Sequence, residues 1–237
     1  MRKYGAAILC FILLAATAWA AALPEPEQVI ERFDRQFSRF QDAFGDITLD
    51  AALHLFGCSG NQRFAGKAYF KAPDKIRAEL NGTTYFARAN DIRKIESNGK
   101  RWYVKLINAL DFHPGFNPRL IPFNFKLKTI SASSEEVVIA GWPKPSVLKN
   151  VKQVNFHFDK QRDLLTKLDI ILVNERLNGV IDIDYELIDG VWTPTGFKGR
   201  SAIELRPGIL VGLDISLKGS NIVLNQGISD EVFNPGF

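Results

Sequence analysis

Apolar side chains recur along this chain in three rhythms, and each predicts a different kind of element. Between Val29 and Phe44 they come by threes and fours, as Val29, Ile30, Phe33, Phe37, Phe40 and Phe44, with Glu31, Arg32, Asp34, Arg35 and Gln36 between them. That spacing predicts an amphipathic helix that begins near Pro24 and Pro26 and is stopped by Gly45. Four phenylalanines on one stripe need an equally apolar bed, which in a β-rich chain means a sheet.

From Asp46 the period shortens to two. Ile47, Leu49, Ala51, Leu53 and Leu55 alternate with Thr48, Asp50, Ala52 and His54, as in a strand with one wet face. Similar patterns predict strands over 63–71, 75–80, 83–89, 92–97 and 101–106, with Asn81-Gly82 and Asn98-Gly99 as hairpin turns between successive runs. A second series covers 136–141, 153–159, 165–173, 180–188, 191–197, 202–205 and 210–218, and Asp189-Gly190 joins two of its members. The stretch 108–124 has neither rhythm. It sets Phe112, Phe116, Leu120, Ile121 and Phe123 among Pro114, Gly115, Pro118 and Pro122, which predicts a loop or short-helix insertion tucked against the sheet. No long repeat and no low-complexity linker divides the chain, so residues 21–237 are expected to form one domain.

The first twenty residues are set apart. Met1-Arg2-Lys3 leads into an apolar run from Ala6 to Ala16 and then to Ala18-Trp19-Ala20, the small-x-small pattern of a signal-peptidase site. Residues 1–20 are therefore expected to be a cleaved signal peptide and the mature protein to be exported, with an uncleaved anchor as the alternative. The apolar run is shorter than the ~20 residues that cross a bilayer. Cys10 lies within it behind Ile8 and Leu9, where a lipid-modified cysteine would follow a small residue, and reads as apolar filler. Cys58 is then alone in the mature chain, so no intrachain disulfide forms and stability must come from the core.

The whole chain carries 30 basic and 26 acidic residues; without Arg2 and Lys3 the balance is 28 to 26. That near-neutrality, with no clustered basic stripe, argues against nucleic acid as a partner. Chemistry is equally sparse. His54, His113 and His157 are scattered with no short His-x-His or His-x-x-x-His pair, and no Gly-x-Ser-x-Gly or glycine-rich phosphate loop occurs. Asp182 and Asp184 share one face of a strand, as paired acids of a hydrolase or a calcium site would, but a solvated sheet face accounts for them as well. No metal or cofactor is expected, and the chain does not read as an enzyme.

What the sequence has in surplus is apolar surface. Of its 18 phenylalanines only Phe11 falls in the signal peptide, and Trp102, Trp142 and Trp192 add to the rest. With a greasy helix and a greasy loop, this predicts a curved sheet around an apolar cavity with helical elements as its cover. Such a cavity suits acyl chains, because each buried CH₂ contributes ~0.8 kcal/mol without any directional bond.

Several segments, in order, resemble the periplasmic outer-membrane lipoprotein carriers, the LolA/LolB-like family. Phe64-Ala65-Gly66-Lys67-Ala68-Tyr69-Phe70-Lys71-Ala72-Pro73-Asp74-Lys75-Ile76-Arg77 is similar to that family's glycine-containing strand and the proline turn after it. Asn98-Gly99-Lys100-Arg101-Trp102-Tyr103 resembles its Asp-Gly-Lys-x-x-Trp-x-Tyr segment, 151–168 its pair of strands, and Ile228-Ser229-Asp230-Glu231-Val232-Phe233 its closing Asp-x-x-x-Phe stretch. Where the well-known carriers place an arginine before the turn proline, this chain has Ala72.

The resemblance implies a mainly β (α+β) fold, an unclosed antiparallel half-barrel covered by the N-terminal helix and a lid. It implies a monomeric periplasmic carrier of lipid or lipoprotein acyl chains towards the outer membrane, with transfer partners in the inner and outer membranes. Phe33, Phe37, Phe40, Phe70, Trp102, Phe112 and Phe116 are the expected cavity lining. The alternatives are a sensor or regulatory module of the envelope on the same fold, binding lipid or a membrane-protein partner, and an envelope hydrolase using Asp182 and Asp184.

Overall fold

The computed structural model describes residues 23–39, 41–55, 58–73, 75–88, 91–97, 118–145, 150–206 and 209–234. The expected signal peptide, Phe40, the Asn98-Gly99 turn, the 101–106 strand, Trp102, Phe112, His113 and Phe116 lie outside the described residues.

The helix α1 spans Pro26–Phe37. After it come β1 (Asp42–Leu55), β2 (Cys58–Lys71), β3 (Lys75–Leu80), β4 (Thr83–Arg88) and β5 (Asp91–Ser97). A five-residue helix α2 (Leu120–Asn124) leads into β6 (Phe125–Ala132), β7 (Glu136–Pro143), β8 (Val151–Asp159) and β9 (Leu164–Leu172). The last strands are β10 (Gly179–Ile188), β11 (Val191–Arg206) and β12 (Ile209–Leu224), and a 3-10 helix follows at Asp230–Phe233. Among the described residues all twelve strands form one antiparallel sheet, ordered β5-β4-β3-β2-β1-β12-β11-β10-β9-β8-β7-β6. The order is linear, with β5 and β6 as edges, so the sheet is unclosed. Two sequential meanders, β1–β5 and β6–β12, meet at the single non-sequential pairing of β1 with β12.

Alternation gives the sheet an inner face, which α1 covers, and an outer face. Val29, Ile30 and Phe33 bury the apolar stripe of α1 against Val137, Ile139, Val154, Phe156, Phe158 and Leu168 from β7, β8 and β9. Two expected turns take the form their residues favour. Asn81 and Gly82 have φ of 46° and 77°, and Asp189 and Gly190 have φ of 49° and 73°, the left-handed values of a type I′ hairpin. Gly66 on β2 is required by close approach: a Cβ there would stand 1.5 Å from the carbonyl oxygen of Glu79 on β3.

Two expectations are corrected, and one strand was not foreseen. The helix ends at Phe37 and does not continue to Gly45. Ser38 donates from both its N–H (2.8 Å) and its Oγ (2.6 Å) to the Asp34 carbonyl, and Asn225 then draws the chain into extended form. Its side-chain oxygen accepts from Gln41 N–H at 2.8 Å, and its own N–H donates to the Asp42 carbonyl at 2.9 Å. Phe44 is therefore a β1 residue on the outer face, stacked on Tyr69 with ring centroids 6.3 Å apart. The patterns at 191–197 and 202–205 belong to one strand, β11, which pairs with β12 from Gly196 to Arg206. Finally β6 is a strand that pattern reading passed over. Phe125, Leu127 and Thr129 turn inward, Lys126 and Lys128 outward, and Thr129 Oγ1 donates to Pro24 O at 2.6 Å.

The C-terminal segment is latched back onto the sheet. Asp42, only 4% exposed, accepts from the backbone N–H groups of Gln226 (2.8 Å), Gly227 (3.0 Å) and Ile228 (3.3 Å). Further along, Asp230 meets Lys71 and Lys75 at 2.8 Å each, Arg77 donates to the Val232 carbonyl at 3.0 Å, and Phe233 is buried. Lys71, Lys75 and Arg77 point from the outer face of β2 and β3, so this segment wraps the side opposite α1.

Candidate functional site

A tract of aromatic rings crosses the inner face. Phe125 meets Phe156 edge-on at 5.3 Å, Phe158 meets Phe33 at 5.7 Å, Phe33 meets Phe37 at 6.1 Å, and Phe37 meets Phe70 edge-on at 6.0 Å. These offset and edge arrangements suit the ring quadrupoles. Of the expected lining residues, then, the structure brings Phe33, Phe37 and Phe70 into one row, and the other four lie outside the described residues. The three differ in character. Phe33 is 3% exposed and committed to the core, whereas Phe37 and Phe70 are half-buried where α1 ends over β1, β2, β11 and β12.

Beyond that point the inner face changes. On β6–β10 it is filled by α1; on β1–β4 Ala43, Ile47 and Leu80 are buried, but towards the strand ends other apolar residues stay open. Leu53 on β1 is 40% exposed and Ile76 on β3 is 38% exposed, although both point to the same side as Phe70. The apolar floor between them mixes small residues, Ala51, Gly66, Ala68 and Ala78, with half-buried Leu49 and Phe64 and buried Ile47 and Leu80. Among the described residues α1 reaches this floor only at its C-terminal end, through Phe37.

Two open clefts lie elsewhere. One, of about 600 Å³, sits at the β6 edge between Pro122, Phe125, Lys126, Trp142 and Lys144. The other, of about 490 Å³, is lined by Lys67, Arg77 and Glu79 on β2 and β3 and by Asn81 of the turn after them.

The titratable groups build ion pairs across the outer face. Asp182 and Asp184 are both exposed; Asp182 lies opposite Lys167 and Lys198 in register, and Asp184 pairs with Lys198 at 3.2 Å. That is the solvated sheet face. His157 is held between Glu136 at 3.1 Å and Asp169 at 2.8 Å, and His54 faces Asp214 at 3.2 Å. Burial pushes the Asp169 carboxyl up, but hydrogen bonds from Lys167 and His157 outweigh it and hold it below the usual carboxylate range. Tyr185 is pushed well up by burial, and its hydroxyl donates to the Leu165 carbonyl at 2.9 Å. Among the described residues no group of three His, Cys, Asp or Glu is placed to hold a metal, and Cys58 is free and exposed.

No protein-family model and no curated protein matches the sequence. Solved structures do match. A DUF1329 family protein from Desulfovibrio piger superposes with a TM-score of 0.60 at 16% identity, over 88% of this chain and 96% of that one. A domain assigned to outer membrane lipoprotein sorting, from Vibrio parahaemolyticus, gives 0.57 at 11% identity over 89% and 97%. A LolA superfamily protein from Nitrosomonas europaea gives 0.56 at 12% over 88% and 97%. Near-complete coverage in both directions, an unclosed antiparallel sheet and a helix on its inner face agree on one conclusion: this chain has the LolA-like half-barrel fold.

Proposed function

We propose that the protein is a non-enzymatic periplasmic carrier that lays the acyl chain of a lipid or lipoprotein along the inner face of β1–β4. The observation that carries this reading is the apolar floor itself. Leu53 and Ile76 face the same side as the packed half of the sheet yet remain more than a third exposed. Large apolar side chains left open on the core-facing side of a sheet are a surface awaiting cover, and a hydrocarbon guest covers them without any matched polar partner. Burying roughly ten methylenes there contributes about 8 kcal/mol before the cost of ordering the guest. The likeness to structures named for lipoprotein sorting supports the same reading.

Phe37 and Phe70 close the rim end of the floor, and Phe33 anchors α1 to the core behind them. The expected lining residues Phe40, Trp102, Phe112 and Phe116 complete the proposed lining from outside the described residues.

The test is native mass spectrometry of protein recovered from the periplasm, paired with titration of a fluorescent fatty-acyl probe. Co-purifying lipid and probe binding that Ile76→Asp weakens at least about tenfold are expected, because a carboxylate would then lie against hydrocarbon. A clean apo mass together with no probe uptake would overturn the proposal.

A further inference from the structure

The β6 edge of the sheet carries a feature that neither the core nor the acyl floor uses. Phe123, on α2, is 72% exposed, the most open large apolar side chain among the described residues, and Trp142 on β7 is 37% exposed. Lys144 lies over the Phe123 ring, its Nζ 5.9 Å from the centroid, and also donates to the Pro122 carbonyl at 3.2 Å. Lys126 pairs in register with Trp142, and Lys128 follows on the same outward face of β6. An open cleft of about 600 Å³ is lined by Lys126, Trp142 and Lys144 and by one carboxylate, Glu27.

Cations outnumber acids here, with Glu27 the one carboxylate of the cleft. Lys71, Lys75, Lys152, Lys167 and Lys198 each meet a carboxylate; Lys126, Lys128 and Lys144 have no ion pair among the described residues, and unlike Lys67, Lys160 and Lys218, which also lack one, they are grouped at a single sheet edge. Lysines on an edge strand do discourage edge-to-edge pairing. That role accounts for Lys126 and Lys128 but leaves a bare phenylalanine and a half-open indole unexplained. Aromatic rings interleaved with ammonium groups that no carboxylate neutralises are the composition that seats at the boundary of an anionic bilayer, rings among the headgroups and cations against the phosphates.

We propose that the β6 edge, with Phe123 and Trp142 as shallow anchors and Lys126, Lys128 and Lys144 as the charged rim, docks the protein reversibly on an anionic lipid surface. The patch lies on the sheet edge and not on the inner floor, so the inference stands apart from acyl binding. A protein that fails to take up a fatty-acyl probe in solution can still show it, and the reverse.

The experiment is co-sedimentation of the exported protein with vesicles of phosphatidylcholine alone and of phosphatidylcholine and phosphatidylglycerol in equal parts. Binding to the anionic vesicles only, weakened by salt, is expected. Lys126→Gln with Lys128→Gln should weaken it about thirtyfold, taking each cation near the surface at its usual worth, and Phe123→Ser about tenfold. Arg63→Gln, which removes an exposed cation at β2, should leave it unchanged. Brominated phosphatidylglycerol should quench the emission of the bound protein, less so in Trp142→Phe. Equal binding to both vesicles, no binding to either, or an Arg63→Gln loss as large as that of the lysine pair would overturn the proposal.

Discussion

Removing the carboxylate of Asp42 should unfasten the end of the chain before it unfolds the sheet. Asp42 accepts three backbone N–H groups, from Gln226, Gly227 and Ile228, while 4% exposed. Hydrogen bonds to a charged acceptor contribute about 1.5–3 kcal/mol each, so three set a ceiling of roughly 4.5–9 kcal/mol for Asp42→Ala. The loss will not reach that ceiling. Gln226 and Gly227 are themselves exposed, so once the carboxylate is gone the segment can peel away and give its N–H groups to water. The cost is then capped at what docking the segment contributes, about 2–4 kcal/mol in global stability, with part of the molecule opening first. Urea unfolding measures the first quantity and amide exchange at 226–234 the second. Asp42→Asn should fall between, since it keeps one acceptor but turns an amide N–H towards donors. A loss below about 1 kcal/mol with exchange protection at 226–228 unchanged would refute the reasoning.

Other consequences follow from the same geometry. Gly66→Ala should cost about 3 kcal/mol, because its Cβ would fall 1.5 Å from the Glu79 carbonyl oxygen and drive β2 from β3; Gly60→Ala, with nothing within 4 Å, should cost well under 1 kcal/mol in the same thermal melts. Phe33→Ala should cost about 3–5 kcal/mol by chemical denaturation, and Phe37→Ala less because that ring is only half-buried. Hydrogen bonds from Lys71 and then Lys75 hold the Asp230 carboxyl down to about 2 against 3.8 for a free aspartate. A depressed carboxylate stabilises above its unfolded value, so the latch should be intact above about pH 4 and loosen as pH falls towards 2. Carboxyl NMR titration reads this directly, and an Asp230 midpoint near 3.8 in the folded protein would contradict the twin ion pair.

The parts of this fold that were legible in the sequence are those set by neighbours in the chain. Alternation marks most strands, and Asn81-Gly82 and Asp189-Gly190 mark hairpins because only such residues take left-handed backbone without strain. The helix start was legible too, but its end was not. Phe40 and Phe44 keep the helical spacing, and what ends the helix is Asn225, whose partner Gln41 lies 184 residues away. The Asp42 latch was invisible for the same reason, since its partners are backbone N–H groups that no side-chain pattern announces. β6 was legible in principle, as Phe125, Leu127 and Thr129 alternate with two lysines, but it follows directly on a proline-rich run that masks the change of period. For the candidate site, the phenylalanine count pointed to an aromatic interior and Phe33, Phe37 and Phe70 do meet there. Composition could not separate a ring locked in the core, such as Phe33, from one at its margin.

The meeting of β1 with β12 also bears on how the molecule comes together. Every other adjacent pair of strands in the sheet is also consecutive along the chain, so each meander can zip up from short loops at little entropic cost. The seam from Ala43–Leu224 to His54–Gly212 must wait until the last strand has left the ribosome. Until that seam closes, β1 has no partner on one side, and an unpaired edge of this kind is where a chain is most open to sticking to its neighbours.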